Sequence, residues 1–305
     1  MKKLILVCVG VLIVAVLLIY VLIPSTLTVS RIVPLRCKSA AAWRFVSDEA
    51  RWGAWWPEEV SRKDFHIQAL TYQSAGIGIQ GEKQVLDSRL TILPVGNQDS
   101  SLLQWYTQLH SGWDPVGRVR QYLWQGRLEK TMDRVLEQAR LYSEKGENLY
   151  GGVNIWIGTL QDTLLVTTRT EKMGMPTSED IYAQVGRLSN YISKMHCHQT
   201  NSPMANISPD TSRPGGYKLM VAMPVDCRLE NDGEFVFKRL IPWKYLIGEI
   251  RGGAGTVANA FPNMDTYIRD HQITVMAIPF QMMVSDRRQE PDSTRWVTRI
   301  YYPIF

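Results

Sequence analysis

The chain has 305 residues and a formal net charge of +5, spread along its length with no run of five or six like charges, which argues against a basic nucleic-acid tail. With 45% hydrophobic residues, 10 Trp and 13 Tyr, it can bury two cores of ordinary domain size. Of its 4 cysteines, Cys8 lies in the first apolar run, and Cys37, Cys197 and Cys227 are too scattered for a disulfide framework. His196-Cys197-His198 makes a poor metal site because adjacent helical residues point apart, so no metal or cofactor is expected.

Leu4 to Ile23 carries no charge, follows Lys2 and Lys3 and is closed by Pro24. As a helix it would be about 30 Å long, the hydrocarbon thickness of a bilayer, and it is read as a membrane anchor over residues 1–24. A cleavable signal peptide fits less well: the run exceeds a normal h-region, and Ile23-Pro24-Ser25-Thr26 offers no small-x-small cleavage site. The expectation is a single-pass membrane protein with its N-terminus inside and its domains on the outer, periplasmic side.

Thr26 to Val33 reads as a strand ended by Pro34, and Ala40 to Val46 as a short helix. Trp43, Trp52, Trp55 and Trp56 follow closely. These indoles either plug one end of a core or, with Trp52, Trp55 and Trp56 as candidates, line a cavity for an apolar ligand. Phe65–Leu70, Ser88–Leu93 and Leu102–Leu109 are strand-like, separated by a Gly76/Gly78/Gly81 region and by Gly96-Asn97, so an antiparallel sheet is predicted. Asp114-Pro115 opens a long helix to about Lys145, with Trp124, Leu128, Met132, Val135, Ala139 and Tyr142 on one face. Its other face, with Arg127, Glu129, Lys130, Asp133, Arg134 and Glu137, reads as solvated.

The order of strand, tryptophan-rich insertion, antiparallel sheet and long helix, carried by TLTVSRIV and AAWRFVSDEARWGAWW, resembles the START-like SRPBCC superfamily in its polyketide-cyclase-like branch. The resemblance covers residues 25–150. It implies a helix-grip domain with a cavity for lipids or other apolar molecules between sheet and helix.

In residues 151–305, Gly151–Leu160 reads as a connection and Leu164–Thr170 as a strand. Pro176-Thr177 starts a helix with Thr177 as N-cap, Asp180 at the capping-box position and Ile181, Val185, Leu188, Ile192 and Met195 in a stripe. Tyr245–Ile250, the Arg251-Gly252-Gly253 turn and a helix bearing Val257, Phe261, Met264 and Ile268 repeat that unit, which suggests a duplication. Tyr217–Met223, Ile278–Ser285 and Arg295–Tyr302 supply further strands. Asp286–Asp292 reads as a solvated hairpin loop.

These paired units, with PGGYKLMVAMPVD, EIRGGAGTVANAF and WVTRIYYPI, are similar to the GyrI-like (AraC-type) effector-binding domain. That resemblance implies a pocket at the pseudo-twofold between the repeats, lined by aromatics, for hydrophobic and often cationic molecules. Its candidates here are Tyr182, Tyr217, Tyr245, Phe280, Gln281, Trp296 and Tyr302. Gln281 stands where cation-binding members place a buried acid; an amide hydrogen-bonds a ligand without neutralising it, which favours neutral or weakly polar ligands.

The fold class expected is therefore α+β: a single N-terminal transmembrane helix, a helix-grip domain, then a duplicated β-strand/helix domain. The expected function is capture or sensing of a hydrophobic small molecule or lipid beside the membrane, without a DNA-binding domain or nucleic-acid partner and with no protein partner assigned. Two alternatives stand beside it, a hydrolase or cyclase acting on such a molecule and an envelope interaction module. No GxSxG, HExxH or phosphate loop is present, and Glu249 is the one side chain offered as a general base.

Overall fold

The computed structural model describes residues 2–80, 85–96, 99–240 and 242–305, with no account of the side chains of residues 2–5 and of residue 85. Gly81 and Asn97, read above as turn residues, lie outside the described set. The chain divides into two units, Met1–Lys145 and Gly146–Phe305, each an α+β arrangement around one sheet.

The first unit opens with helix α1, Lys2–Leu22, and strand β1, Thr26–Leu35. Among the described residues no helix is long and apolar enough to cross a membrane. This overturns the expected transmembrane helix, and with it that part of the fold class and the single-pass localisation. The α1 C-terminus instead meets this unit's own long helix: the Tyr20 hydroxyl donates to the Trp113 carbonyl, and the Arg118 guanidinium lies 4.4 Å over the Tyr20 ring.

After α2 (Ser39–Val46) and the single turn α3 (Glu49–Trp52) come β2 (Phe65–Thr71), β3 (Ser74–Gln80), β4 (Val85–Pro94) and β5 (Ser101–His110). They form an antiparallel sheet in the order β1-β5-β4-β3-β2. Pro34 does not end β1. It pairs with Leu102, which an edge strand permits because the missing N–H would have faced outward. The Gly76 and Gly78 region is likewise strand, because a Cβ at Gly78 would lie 2.6 Å from the Gln68 amide on the neighbouring strand.

Helix α4, Pro115–Ser143, starts where Asp114 accepts from the N–H groups of Val116 and Gly117 at 3.1 and 2.9 Å, with Pro115 in the first turn. Leu128, Met132, Val135, Leu136 and Ala139 are buried, and the helix packs on β1 and β5. Its polar face is not wholly given to solvent: Arg31 on β1 reaches Glu129 at 2.6 Å and Asp133 at 3.0 Å.

The second unit runs α5 (Gly146–Leu149), β6 (Asn154–Thr159), β7 (Leu164–Met173), α6 (Ser178–Lys194), β8 (Met204–Pro209) and β9 (Gly216–Pro224). Then follow β10 (Val236–Arg239), β11 (Lys244–Arg251), α7 (Ala254–Asp270), β12 (Phe280–Met283) and β13 (Val297–Pro303). The stretch read as a connection at Gly151–Leu160 thus holds a strand. The sheet order β10-β7-β9-β8-β12-β13-β11-β6 is symmetric about the β8–β12 seam, with β7-α6-β8-β9 and β11-α7-β12-β13 as matching units. That seam is narrow, pairing Gln281 with Ala205 and Met282 with Met204.

Strand alternation sends the two faces of this sheet to different cores. Leu219, Val221 and Met223 of β9 meet Ile181, Val185 and Leu188 of α6. Leu246, Ile250, Ile300 and Tyr302 meet Val257, Ala260 and Met264 of α7. Tyr245, Ile247, Met282 and Tyr301 belong to a third cluster on the opposite face. Gly248 lets α7 lie close, since a Cβ there would come within 2.9 Å of Val153 Cγ1 and overlap the Met264 side chain.

Candidate functional site

Each helix covers its own half of the second sheet, and the seam between halves lies under neither. A cleft of about 490 Å³ opens there. Its walls come from the start of α6 with the residues before it (Met175, Pro176, Ser178, Ile181) and from one face of α7 (Ala254, Gly255, Val257, Ala258, Phe261). Its floor is the seam itself, with Ala205 and Ile207 from β8 and Gln281 from β12. Asn206, Pro279 and Arg287 complete the lining.

The apolar lining follows from the sequence of α7. Ala254, Gly255 and Ala258 are short and spaced to share a face, so the helix presents a trough, with Phe261 one turn further on. Pro262 inside α7 removes the N–H that would have bonded the Ala258 carbonyl. Polar groups in the cleft are few. Asn206 is already engaged, donating to the Pro279 carbonyl at 2.8 Å. Gln281 is only 7% exposed, and its amide makes no hydrogen bond among the described residues. No carboxylate lines the cleft among the described residues.

Of the residues singled out in the sequence, Gln281 lines this cleft. Tyr182 sits on α6, where its hydroxyl accepts from the Arg287 N–H at 3.0 Å and burial raises its pKa; it borders a more polar depression, also about 490 Å³, with Asn201 and Arg288. Tyr217 lies on β9 opposite Lys172 and Pro209. Tyr245 and Phe280 belong to the opposite face of the sheet, their rings 6.1 Å apart and packed with Tyr301. Tyr302 faces the helices but is roofed by α7, its hydroxyl donating to Asp265 at 2.9 Å, and burial with that carboxylate holds the phenol well above its ordinary pKa. Trp296 donates its indole N–H to the Glu290 carbonyl at 2.8 Å and carries the Arg287 guanidinium 4.9 Å over its ring.

Glu249 also falls on the face opposite the cleft, because Leu246, Gly248 and Ile250 alternate with it towards α7. Its carboxylate accepts from Arg299 Nε at 2.9 Å, and Arg299 in turn lies over the Trp156 ring. A base so paired on that face has no access to a molecule in the cleft.

In the first unit the three indoles are packed against one another. Trp52 stacks on Trp56 at 4.9 Å, and Trp55, Phe45, Phe65 and Trp105 surround them. Trp52, Trp55 and Trp56 are 2%, 4% and 7% exposed, and each donates its N–H to a backbone carbonyl, of Val46, Phe45 and Val60. A buried indole satisfied in this way leaves no donor for a ligand.

Cys197 and Cys227 form a disulfide, their Cα atoms 5.9 Å apart, which the scattered spacing did not announce. Asp226 lies close enough to both sulfurs for a metal cluster, but bonding to each other removes the thiolates that would ligate. Asp226 instead accepts from the backbone N–H of His198 at 2.8 Å.

Sequence reasoning passed over Arg287 and the Ala254/Gly255/Ala258 face. Arg287 was hidden in a charged segment that reads as solvated. The small-residue spacing of α7 was a signal, since three short side chains on one helix face leave space that something must fill.

No protein-family model matches the chain, and no curated protein matches it. Among solved structures it is similar to the EcmrR–DNA complex, at 12% identity and TM-score 0.46 over 62% of this chain and 71% of that one. It is also similar to the EcmrR C-terminal domain, at 12% identity and TM-score 0.43 over 50% of this chain and 98% of that one. A third, SAV2435 bound to tetraphenylphosphonium, is 13% identical with TM-score 0.34, over 50% of this chain and 94% of that one. With TM-scores below 0.5 these likenesses carry no functional argument.

Proposed function

We propose that the second unit binds a small, mainly apolar molecule in the cleft between α6 and α7. The observation that carries this reading is the pairing of an apolar trough with the Gln281 amide, which faces the cleft and makes no hydrogen bond among the described residues. A hydrogen bond between that amide and a ligand contributes about 0.5–1.5 kcal/mol net and fixes the ligand's orientation. The volume of about 490 Å³ falls within the usual range of small-molecule sites. Aliphatic walls favour shape-tolerant binding, while Gln281 orients the polar end of the occupant.

Two substitutions test the reading on the full chain. Ala258→Trp fills the trough from an exposed helix position, and Gln281→Leu removes the amide while keeping its bulk. Native mass spectrometry after gentle purification, with thermal shifts against a panel of apolar compounds, is expected to show binding in the wild type. Binding should be lost in Ala258→Trp and weakened in Gln281→Leu. Equal binding by all three proteins would move the ligand elsewhere, and no binding to the wild type would refute the proposal.

A further inference from the structure

We infer that the molecule held in this cleft carries an anionic head, a carboxylate, bound by Arg287 and the start of α7. The inference rests on the cleft being a ligand site and names the chemistry of that ligand. Two adjacent arginines show the contrast that leads to it. Arg288 is paired with Asp286 by both Nε and Nη2, at 3.0 and 2.8 Å. Arg287, half-buried and lining the cleft, is paired with no carboxylate among the described residues. It donates only to the hydroxyls of Ser178 and Thr298, each at 3.1 Å, which occupies two of its five N–H donors. The Trp296 ring beneath it stabilises a cation without neutralising it. Burial also pushes the guanidinium below its ordinary pKa, the direction expected of a desolvated cation without a counter-charge.

The helix termini point the same way. The start of α6 is satisfied within the chain: Thr177 and Asp180 form a reciprocal capping box, and Lys172 pairs with Asp180. The start of α7 has Gly253 as N-cap, no side-chain cap and no acid in its first turn. Ala254 and Gly255, whose N–H groups have no partner inside the helix, line the cleft. A 17-residue helix with such a terminus favours negative charge near it. Gln281, more than nine-tenths buried and unbonded, adds two amide donors from the floor. An apolar body along Val257, Ala258 and Phe261 with a carboxylate at the Arg287 end satisfies the arginine and the helix start together, whereas a cationic head meets the Arg287 charge and the positive end of α7.

The test is a head-group series on one apolar tail: decanoate, decanol and decyltrimethylammonium, each below its micelle concentration, titrated into the full chain by calorimetry. Decanoate is expected to bind about tenfold or more tighter than decanol, and decyltrimethylammonium weakest, as charge-assisted bonds to a desolvated arginine require. In Arg287→Met, decanoate and decanol are expected to converge to within about twofold, with decanol unchanged. If decanol matches decanoate in the wild type, and Ala258→Trp abolishes both, the cleft reading survives and the anionic head is refuted. A preference for decanoate that persists in Arg287→Met refutes it as well. If none of the three binds, the cleft reading itself fails and takes this inference with it. The wild-type series decides the question even where Arg287→Met does not fold.

Discussion

Two glycine-to-alanine substitutions in the second unit should act with opposite sign. At Gly248 an added methyl would stand 2.9 Å from Val153 Cγ1 and overlap Met264, which is fully buried. Ordinary carbon contacts are about 3.5–4.0 Å, so the methyl is roughly 0.6–1 Å too close and α7 must lift or Val153 must shift. Overpacking of this kind costs about 1–3 kcal/mol. For a unit of this size that lowers Tm by about 3–10 °C. At Gly186, in the middle of α6, an added Cβ meets nothing within 4 Å. Gly186→Ala should therefore stabilise by up to about 1 kcal/mol through helix propensity. Calorimetric unfolding gives the sign, and hydrogen exchange locates it: protection should fall in α7 and β11 for Gly248→Ala and rise in α6 for Gly186→Ala. A Gly248→Ala protein as stable as wild type would refute the close α7–sheet packing that shapes the cleft wall.

Other outcomes follow from single contacts. Breaking the Cys197–Cys227 link by Cys197→Ser/Cys227→Ser, with 30 residues separating the two positions, should destabilise the second unit by about 3–4 kcal/mol, measured by urea unfolding of the oxidised protein; unchanged stability would refute a stabilising role. Lys172 and the Thr177 cap lower the Asp180 carboxyl from 3.8 to about 2. A depressed carboxyl contributes stability that is full above its unfolded pKa and lost as pH falls through the folded one. The Tm difference between wild type and Asp180→Asn should therefore be largest above pH 5 and vanish towards pH 2; a difference independent of pH would assign the effect to something other than the charge.

The fold was legible wherever one face of an element is apolar. The α4 stripe, the Thr177–Asp180 capping box and the duplicated strand-turn-helix order could all be read from spacing, because burial against a sheet imposes a period. The strands at Asn154–Thr159 and Met204–Pro209 were missed: over only six residues the first has no fully buried position and the second runs from buried to exposed without alternating. Gly76 and Gly78 misled for a different reason. Glycine marks turns by its freedom, but here it sits in a strand to make room for the Gln68 side chain across the ladder.

The candidate site was harder to read because its walls are defined by what is missing. Large aromatics draw attention in a sequence, yet Tyr245, Phe280, Tyr302 and Trp296 are already packed or bonded. The space lies over the seam, where two narrow register pairs join the halves and where α7 presents Ala254, Gly255 and Ala258. Duplication accounts for the position of that space, since two equal helices on an eight-stranded sheet leave its midline bare. The chemistry arises where the halves stop matching. One helix start closes on its own carboxylate and lysine, while the other begins at an uncapped glycine, and Arg287 in the same cleft meets no acid among the described residues. A symmetric pair would have presented the same polarity from both walls; the asymmetry gives the cleft a donor-rich end and an apolar end, which is what the proposed amphipathic ligand would be aligned by.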